Sequence, residues 1–357
     1  MRLGFVIFFL IFFTVYGSAQ WPLYHLIVRV FSLASPWTHV LKVFFAFSSL
    51  LFLIVRVTPL NAKTLAWWAD VWFGLVFIAL TFWCIQLIPA SIWRAQARLF
   101  DAAALTATVL AVLVSLVHGA LLPFVKPMVL RIPDAPPMTV VQLSDIHLNR
   151  WSSIPRLEAI VGRALAGRPD LIVITGDLTD ERDGNLDFLV PTLLKLKSPM
   201  GVYAIPGNHE FYTGIGRAAQ IMEKAGIRLL RNEWLDLPNG WVLAGMDDPA
   251  AREMGLPAPK PRDFLASLPK GKPILFLNHR PLNWSDARAA GVNLQLSGHL
   301  HAGQIPPMDA IVFLGFGYPF GLYKEGDAFL YTTSGTGYWG PPMRLFVGAE
   351  IPFFKIN

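Results

Sequence analysis

Apolar positions follow two different rhythms along this chain. Up to about residue 124 they run almost unbroken; beyond residue 138 they come in short blocks separated by polar, glycine-bearing turns. Four early runs, at about 3–19, 40–57, 66–88 and 105–124, approach the roughly 20 helical residues that cross ~30 Å of hydrocarbon. They predict a bundle of about four transmembrane helices over residues 1–124. Arg2, the apolar stretch behind it and Gly17-Ser18-Ala19 before Gln20 also fit a cleavable leader; the expectation is a retained helix. Residues 21–36 mix aromatic side chains with His25 and Arg29, a composition suited to a membrane interface.

Pro127, Pro133, Pro136 and Pro137 mark a linker over 125–137, because proline cannot continue a helix. Past it, β-rich apolar runs stand at 138–143, 171–175, 202–205, 241–244, 274–277, 294–296 and 329–332. Helical patterns at 154–165, 187–196 and 215–225 separate several of them. Strands apolar on both faces, alternating with helices, predict a layered α/β catalytic domain over 138–357.

Charge changes this picture in one respect. Of 30 Lys/Arg and 24 Asp/Glu, residues up to Pro123 hold 7 and 2, and the remainder 23 and 22. The net +6 is therefore +5 from the apolar third and +1 from the rest. The second part is near neutral and has no basic stripe, so nucleic acid is not an expected partner. In the first part the cations flank apolar runs, where Lys and Arg anchor helices at membrane surfaces. Arg2, Arg56, Lys63, Lys126 and Arg131 would share one side, and Arg29, Lys42, Arg94 and Arg98 the other. Five against four assigns no orientation. The lone cysteine, Cys84, lies in the third run, which excludes a disulfide within the chain.

The candidate chemistry sits in five blocks: Asp145-Ile146-His147, Gly176-Asp177-Leu178-Thr179-Asp180, Gly207-Asn208-His209-Glu210, Asn278-His279-Arg280-Pro281 and Gly298-His299-Leu300-His301. All five histidines beyond residue 124 fall in them. Imidazole and carboxylate together suit Zn, Mn or Fe. Asp145, Asp177, Asn208, His279 and His299 each follow an expected strand by one to three residues, at the carboxyl edge where α/β sheets build their sites. Asp177, behind Gly176, is the candidate for a carboxylate shared by two cations, and Asn208 adds a neutral oxygen to a site already rich in anions. His25, His39 and His118 belong to the apolar third and read as interface or helix-packing groups.

This ordered series resembles the calcineurin-like metallophosphoesterase superfamily over about residues 138–353. Residues 333–344 (TSGTGYWGPPMR), with His301-Ala302-Gly303-Gln304, resemble its membrane-associated bacterial branch, the YkuE/YaeI-like proteins. The resemblance implies a four-layer αββα sandwich and two divalent metal ions (Mn, Zn or Fe). It implies Asp145, His147, Asp177 and His301 as ligands of the first, and Asp177, Asn208, His279 and His299 as ligands of the second. His209 would then be catalytic, protonating the leaving oxygen, with Glu210 as the carboxylate that orients its ring. Asp180 is expected either in contact with that chemistry or as a loop cap, and Arg280 either on the substrate phosphate or in a structural pair.

The expected protein is an integral membrane phosphoesterase, in a bacterial inner membrane, acting on a phosphodiester, phosphomonoester or pyrophosphate. A tether near the bilayer favours lipid-linked substrates such as a phospholipid, a polyprenyl or glycolipid pyrophosphate, or UDP-diacylglucosamine. Its partners are then the lipid bilayer and the phosphate ester, with no obligate protein partner. The alternatives are a nucleotide or nucleic-acid phosphodiesterase, and a non-catalytic membrane sensor that keeps the fold. Residues 311–323 are too apolar for a routine loop and are expected either as a strand and turn or as an apolar lid.

Overall fold

The computed structural model of the chain describes residues 2–57, 62–182 and 185–357. They fall into two compact units, one drawn from the described residues up to 120 with 303–311 and 340–346, the other from the described residues of 121–302 with 312–339 and 347–357.

Four helices make up most of the first unit: α1 (Arg2–Val30), α2 (Trp37–Val57), α3 (Lys63–Ile92) and α4 (Ala97–Ala120). The first apolar run does not stop near residue 19. It continues as helix through Pro22 to Val30, taking in most of the segment expected at an interface. Among the described residues, Lys63–Ile92 and 94–120 are long and apolar enough to cross a membrane; Trp37–Phe52 is a shorter apolar helix. The Trp72 ring packs edge-on against Phe44 and Phe45, and its indole N–H donates to Gln20 Oε1 at 3.1 Å. Arg29 pairs with the buried Asp101 at 2.9 Å, tying the end of α1 to α4. Of the cations counted for orientation, the side chains of Arg2 and Arg56 lie outside the described residues.

The second unit is built on two six-stranded sheets. In the first, β1 (Phe124–Leu130), β12 (Glu350–Ile356), β2 (Met138–Leu143), β3 (Leu171–Thr175), β4 (Val202–Ile205) and β5 (Arg228–Leu229) lie side by side in that order. In the second the order is β10 (Gly321–Glu325), β11 (Ala328–Thr332), β9 (Leu294–Ser297), β8 (Ile274–Leu277), β7 (Val242–Gly245) and β6 (Glu233–Asp236). β2 to β5 run parallel, as do β7, β8, β9 and β11.

Period-two alternation sorts the side chains into layers. Val140, Leu171, Val173, Leu275, Leu277, Leu294 and Leu296 face the core between the sheets. Val141, Ile172 and Ile174 face outward onto α5 (Ile154–Ala166), α6 (Val190–Leu193) and α8 (Ile215–Lys224). On the other outer face Val242, Ala244, Ile274 and Phe276 pack on α10 (Pro261–Ala266) and α11 (Trp284–Ala289). The result is the expected αββα sandwich. Each fully buried aliphatic side chain contributes about 1.5–3 kcal/mol. α5 starts where Ser153 accepts the Arg156 N–H, with a proline in its first turn.

Part of the expected linker 125–137 is instead strand. β1 carries Pro127 at the sheet edge, beside β12, the position where a missing N–H costs least. Residues 311–315, expected as strand or lid, belong to α12 (Met308–Gly315), which has no buried residue.

Candidate metal centre

The five blocks leave the carboxyl ends of β2, β3, β4, β8 and β9, and backbone bonds lace the first two together beyond the sheet. Asp145 N donates to Gly176 O, His147 N to Asp177 O, Leu148 N to Leu178 O and Asp180 N to Leu148 O, at 2.8–3.0 Å. Asp145, His147, Asp177, His299 and His301 all hold left-handed backbone, with φ between 49° and 71°. Such conformations are uncommon outside glycine and cluster where a fold aims side chains at a shared point. Glycines complete the cradle. A Cβ on Gly207 would run into the Asp177 carboxylate, one on Gly298 into Ser144 Oγ and the Asp145 carboxylate, and one on Gly176 into His279 Nδ1.

The donor atoms converge in overlapping groups whose ligand-type atoms lie within 4.8 Å of one another: Asp145, His147 and His301; His147, Asp177 and His209; Asp177, His279 and His299. His147 Nε2 faces His301 Nε2 at 3.2 Å, and Asp145 Oδ1 is 3.6 Å from the latter. Asp177 Oδ2 is 3.8 Å from His147 Nε2 and 3.3 Å from His279 Nε2. Asn208 Oδ1 is 3.2 Å from that same His279 nitrogen. The structure thus brings together all seven residues expected as ligands.

Several orienting contacts were not legible beforehand. His279 Nδ1 lies 2.7 Å from Thr175 O, so this nitrogen donates and Nε2 is turned to the oxygens of Asp177 and Asn208. Asp145 accepts from Ser144 Oγ at 2.5 Å and from His299 N at 3.0 Å. Ser144 carries no motif, and its adjacency to Asp145 is the only signal it gives.

His209 is held by Asp180, whose Oδ1 is 2.8 Å from Nδ1. This corrects the expectation that Glu210 orients the ring. The Glu210 carboxylate is buried and accepts three backbone N–H groups, from Asp177 (3.0 Å), Thr179 (2.8 Å) and Gly207 (2.8 Å). It clamps the Asp177 loop to the start of α7 (Asn208–Thr213). Tyr212 and Trp339 rings flank His209, with centroids 5.9 and 5.8 Å away. Arg280 makes a bidentate pair with the buried Asp248, at 2.8 and 2.9 Å, on the loop leading to α9 (Ala250–Glu253).

Electrostatics match the donor set. Burial works against ionisation of Asp177, but His279, His209 and His147 outweigh it and hold its carboxyl well below the usual range. Asp180 is half-buried; desolvation works against its ionisation too, but its bonds to His147 and His209 hold it low. Burial lowers His209, yet the carboxylates of Asp177, Asp180 and Glu210 push it up to about 9. His279, buried but facing Asp177 and Asp145, is pushed up to about 10. His299 goes the other way, well below its usual value, through burial and the charges of His279 and Arg280. Burial and the Asp177 charge raise Glu210. Fixed carboxylates facing imidazole nitrogens make a pocket for positive charge, which a proton on His279 or a divalent cation satisfies alike. The residues therefore fit a metal.

Fold and site define a calcineurin-like phosphoesterase, and the family model of that description matches residues 138–303. The chain belongs to this family. It is 29% identical to an uncharacterized metallophosphoesterase of Campylobacter jejuni, over 99% of each chain. A transmembrane protein with metallophosphoesterase domain from Bos taurus is 31% identical, over 78% of this chain and 70% of that one. The uncharacterized metallophosphoesterase YkuE of Bacillus subtilis is 32% identical, over 61% and 78%.

Proposed function

We propose that the protein is an integral membrane phosphoesterase with two divalent cations, acting on a lipid-linked phosphate ester. One observation carries the two-cation reading: Asp177 Oδ2 is 3.8 Å from His147 Nε2 and 3.3 Å from His279 Nε2, and Asp177 belongs to both histidine groups. Asp145, His147 and His301 would hold one ion, Asn208, His279 and His299 the other, and Asp177 both. Two ions so held, as Mn²⁺, Zn²⁺ or iron, would polarise the phosphoryl oxygens and supply a nucleophile at neutral pH.

The chain's own groups do the rest. With Nδ1 of His209 committed to Asp180, the other ring nitrogen is the one left to give a proton to the leaving oxygen, worth about 10²–10⁴-fold. Glu210 keeps the Asp177 loop in register. Two donors of Arg280 are taken by Asp248, so its contact with a substrate phosphate would use the remaining edge of the guanidinium.

Two features support a membrane setting and a lipid-linked substrate. α3 and the stretch 94–120 are long and apolar enough to span a bilayer, and the Bos taurus relative is named a transmembrane protein. α12 exposes Ile311, Phe313 and Leu314, the last 89% accessible, with Phe316 just beyond, a surface that favours lipid over water. The likeness to the Campylobacter protein covers the helical part as well as the catalytic part.

The test uses the full-length chain in detergent with Mn²⁺, assayed on bis-p-nitrophenyl phosphate and p-nitrophenyl phosphate. Turnover that Asp177→Asn abolishes, and that His209→Ala lowers while two Mn²⁺ stay bound, supports the reading. No turnover with any divalent metal would leave a non-catalytic sensor instead.

A further inference from the structure

α3 and α4 each contain a single glycine, Gly74 and Gly119, and both face the same stretch of chain. A Cβ on Gly74 would press on Met343 Sδ and lie 3.1 Å from Pro341 Cβ; one on Gly119 would run into the Pro342 carbonyl. Glycine weakens a helix interior, so Gly74, well inside α3, marks a close approach that the helix is shaped to allow; Gly119, next to last in α4, meets the same segment.

That segment, 340–346, and a second, 303–311, belong to the helical unit. Ile305, Met343 and Leu345 pack with Val71, Ile78 and Ala111 of α3 and α4. Arg344 N donates to Ser115 O at 2.9 Å. The two segments are also tied to each other, by Gln304 Nε2 to Pro341 O at 3.0 Å and Leu345 N to Gln304 O at 2.9 Å.

Both run directly on from the candidate site. Gly303 is two residues past His301. Residue 340 follows Trp339, which flanks His209, and Gly337 donates to Asp145 O at 3.1 Å. We infer that Gly74 and Gly119 are positioning residues: by seating these two segments, α3 and α4 fix the loop that carries His301 and the one that carries Trp339. The helices are then part of the catalytic apparatus as well as its anchor. This rests on the metal reading above.

The experiment measures Mn²⁺ binding by equilibrium dialysis, and kcat and KM on bis-p-nitrophenyl phosphate, with the full-length chain in nanodiscs. Gly74→Leu and Gly119→Ala disturb the seat by added bulk, and Met343→Ala by removing the side chain that fills it. Val117→Leu, on the exposed face of α4, is the control. The expected result is Mn²⁺ affinity weakened about tenfold or more, with kcat lowered more than KM is raised, in the three seat variants. The control should keep near wild-type affinity and turnover. If a bulky variant fails to yield monodisperse protein, Met343→Ala decides. Wild-type binding and turnover in folded Met343→Ala would overturn the inference and leave the metal reading intact. A wild-type chain that binds no Mn²⁺ would remove both.

Discussion

Asp180 Oδ1 lies 2.8 Å from His209 Nδ1, and its partner oxygen Oδ2 is 3.6 Å from His147 Nδ1. One carboxylate thus touches the rings of both the proposed acid and a proposed ligand, which couples the orientation of the two. It also fixes which nitrogen of His209 is left for the substrate.

Loss of an acid matters most when the leaving group is poor. Hydrolysis of an alkyl phosphodiester by His209→Ala should fall about 10²–10⁴-fold, and that of a p-nitrophenyl ester less. Asp180→Asn should show the same ordering with smaller losses. A kcat series over leaving groups of graded pKa checks this; equal losses across the series would remove the acid role.

Glu210 gives a stability prediction in place of a catalytic one. Gln in its place must turn an amide N–H towards at least one of the three backbone donors that Glu210 now satisfies. The cost is about 1–3 kcal/mol. Thermal unfolding of Glu210→Gln should show a clear drop in Tm that His209→Ala does not share.

Sharing of Asp177 has a signature in stoichiometry. Asp177→Asn should impair both ions, whereas Asp145→Asn should spare the one held by Asn208, His279 and His299. Bound Mn²⁺ per chain reads this directly. Chelation should abolish turnover in the wild type, and added Mn²⁺ should restore it.

Gly207→Ala changes no ligand yet should act like a ligand mutation, because its methyl would occupy the space of the Asp177 carboxylate. Mn²⁺ affinity should fall about tenfold or more. Unchanged affinity would show that the Asp177 loop gives way without cost.

The exposed face of α12 predicts substrate selectivity. Phe313→Ser with Leu314→Ser, or Phe316→Ser, should lower turnover of a phospholipid in mixed micelles and spare a soluble ester. Phe320, in the same apolar stretch, is half-buried under Lys126, whose Nζ is 4.8 Å from its ring. Its replacement should affect both substrates alike.

Sequence by itself determined the blocks, their order and their place at strand ends. Five of the apolar runs are each followed within three residues by a ligand-type side chain: Asp145, Asp177, Asn208, His279 and His299. Strands β2, β3, β4 and β8 were readable to the residue because both of their faces are buried. β6, β10 and β12 were not, since their partly exposed or mixed positions, such as Glu233, Lys324 and Lys355, blur the alternation.

Tertiary structure decided who serves whom. Glu210 follows His209 in sequence, but consecutive residues on α7 point in different directions, about 100° apart, so adjacency there argues against contact. Asp180, 29 residues earlier, reaches the ring because the β3 and β4 loops share one edge of a parallel sheet. Helices α3 and α4 gave no local sign that Gly74 and Gly119 would receive chain from beyond residue 300. A glycine's missing side chain records how closely something approaches, and only the folded chain supplies what approaches it.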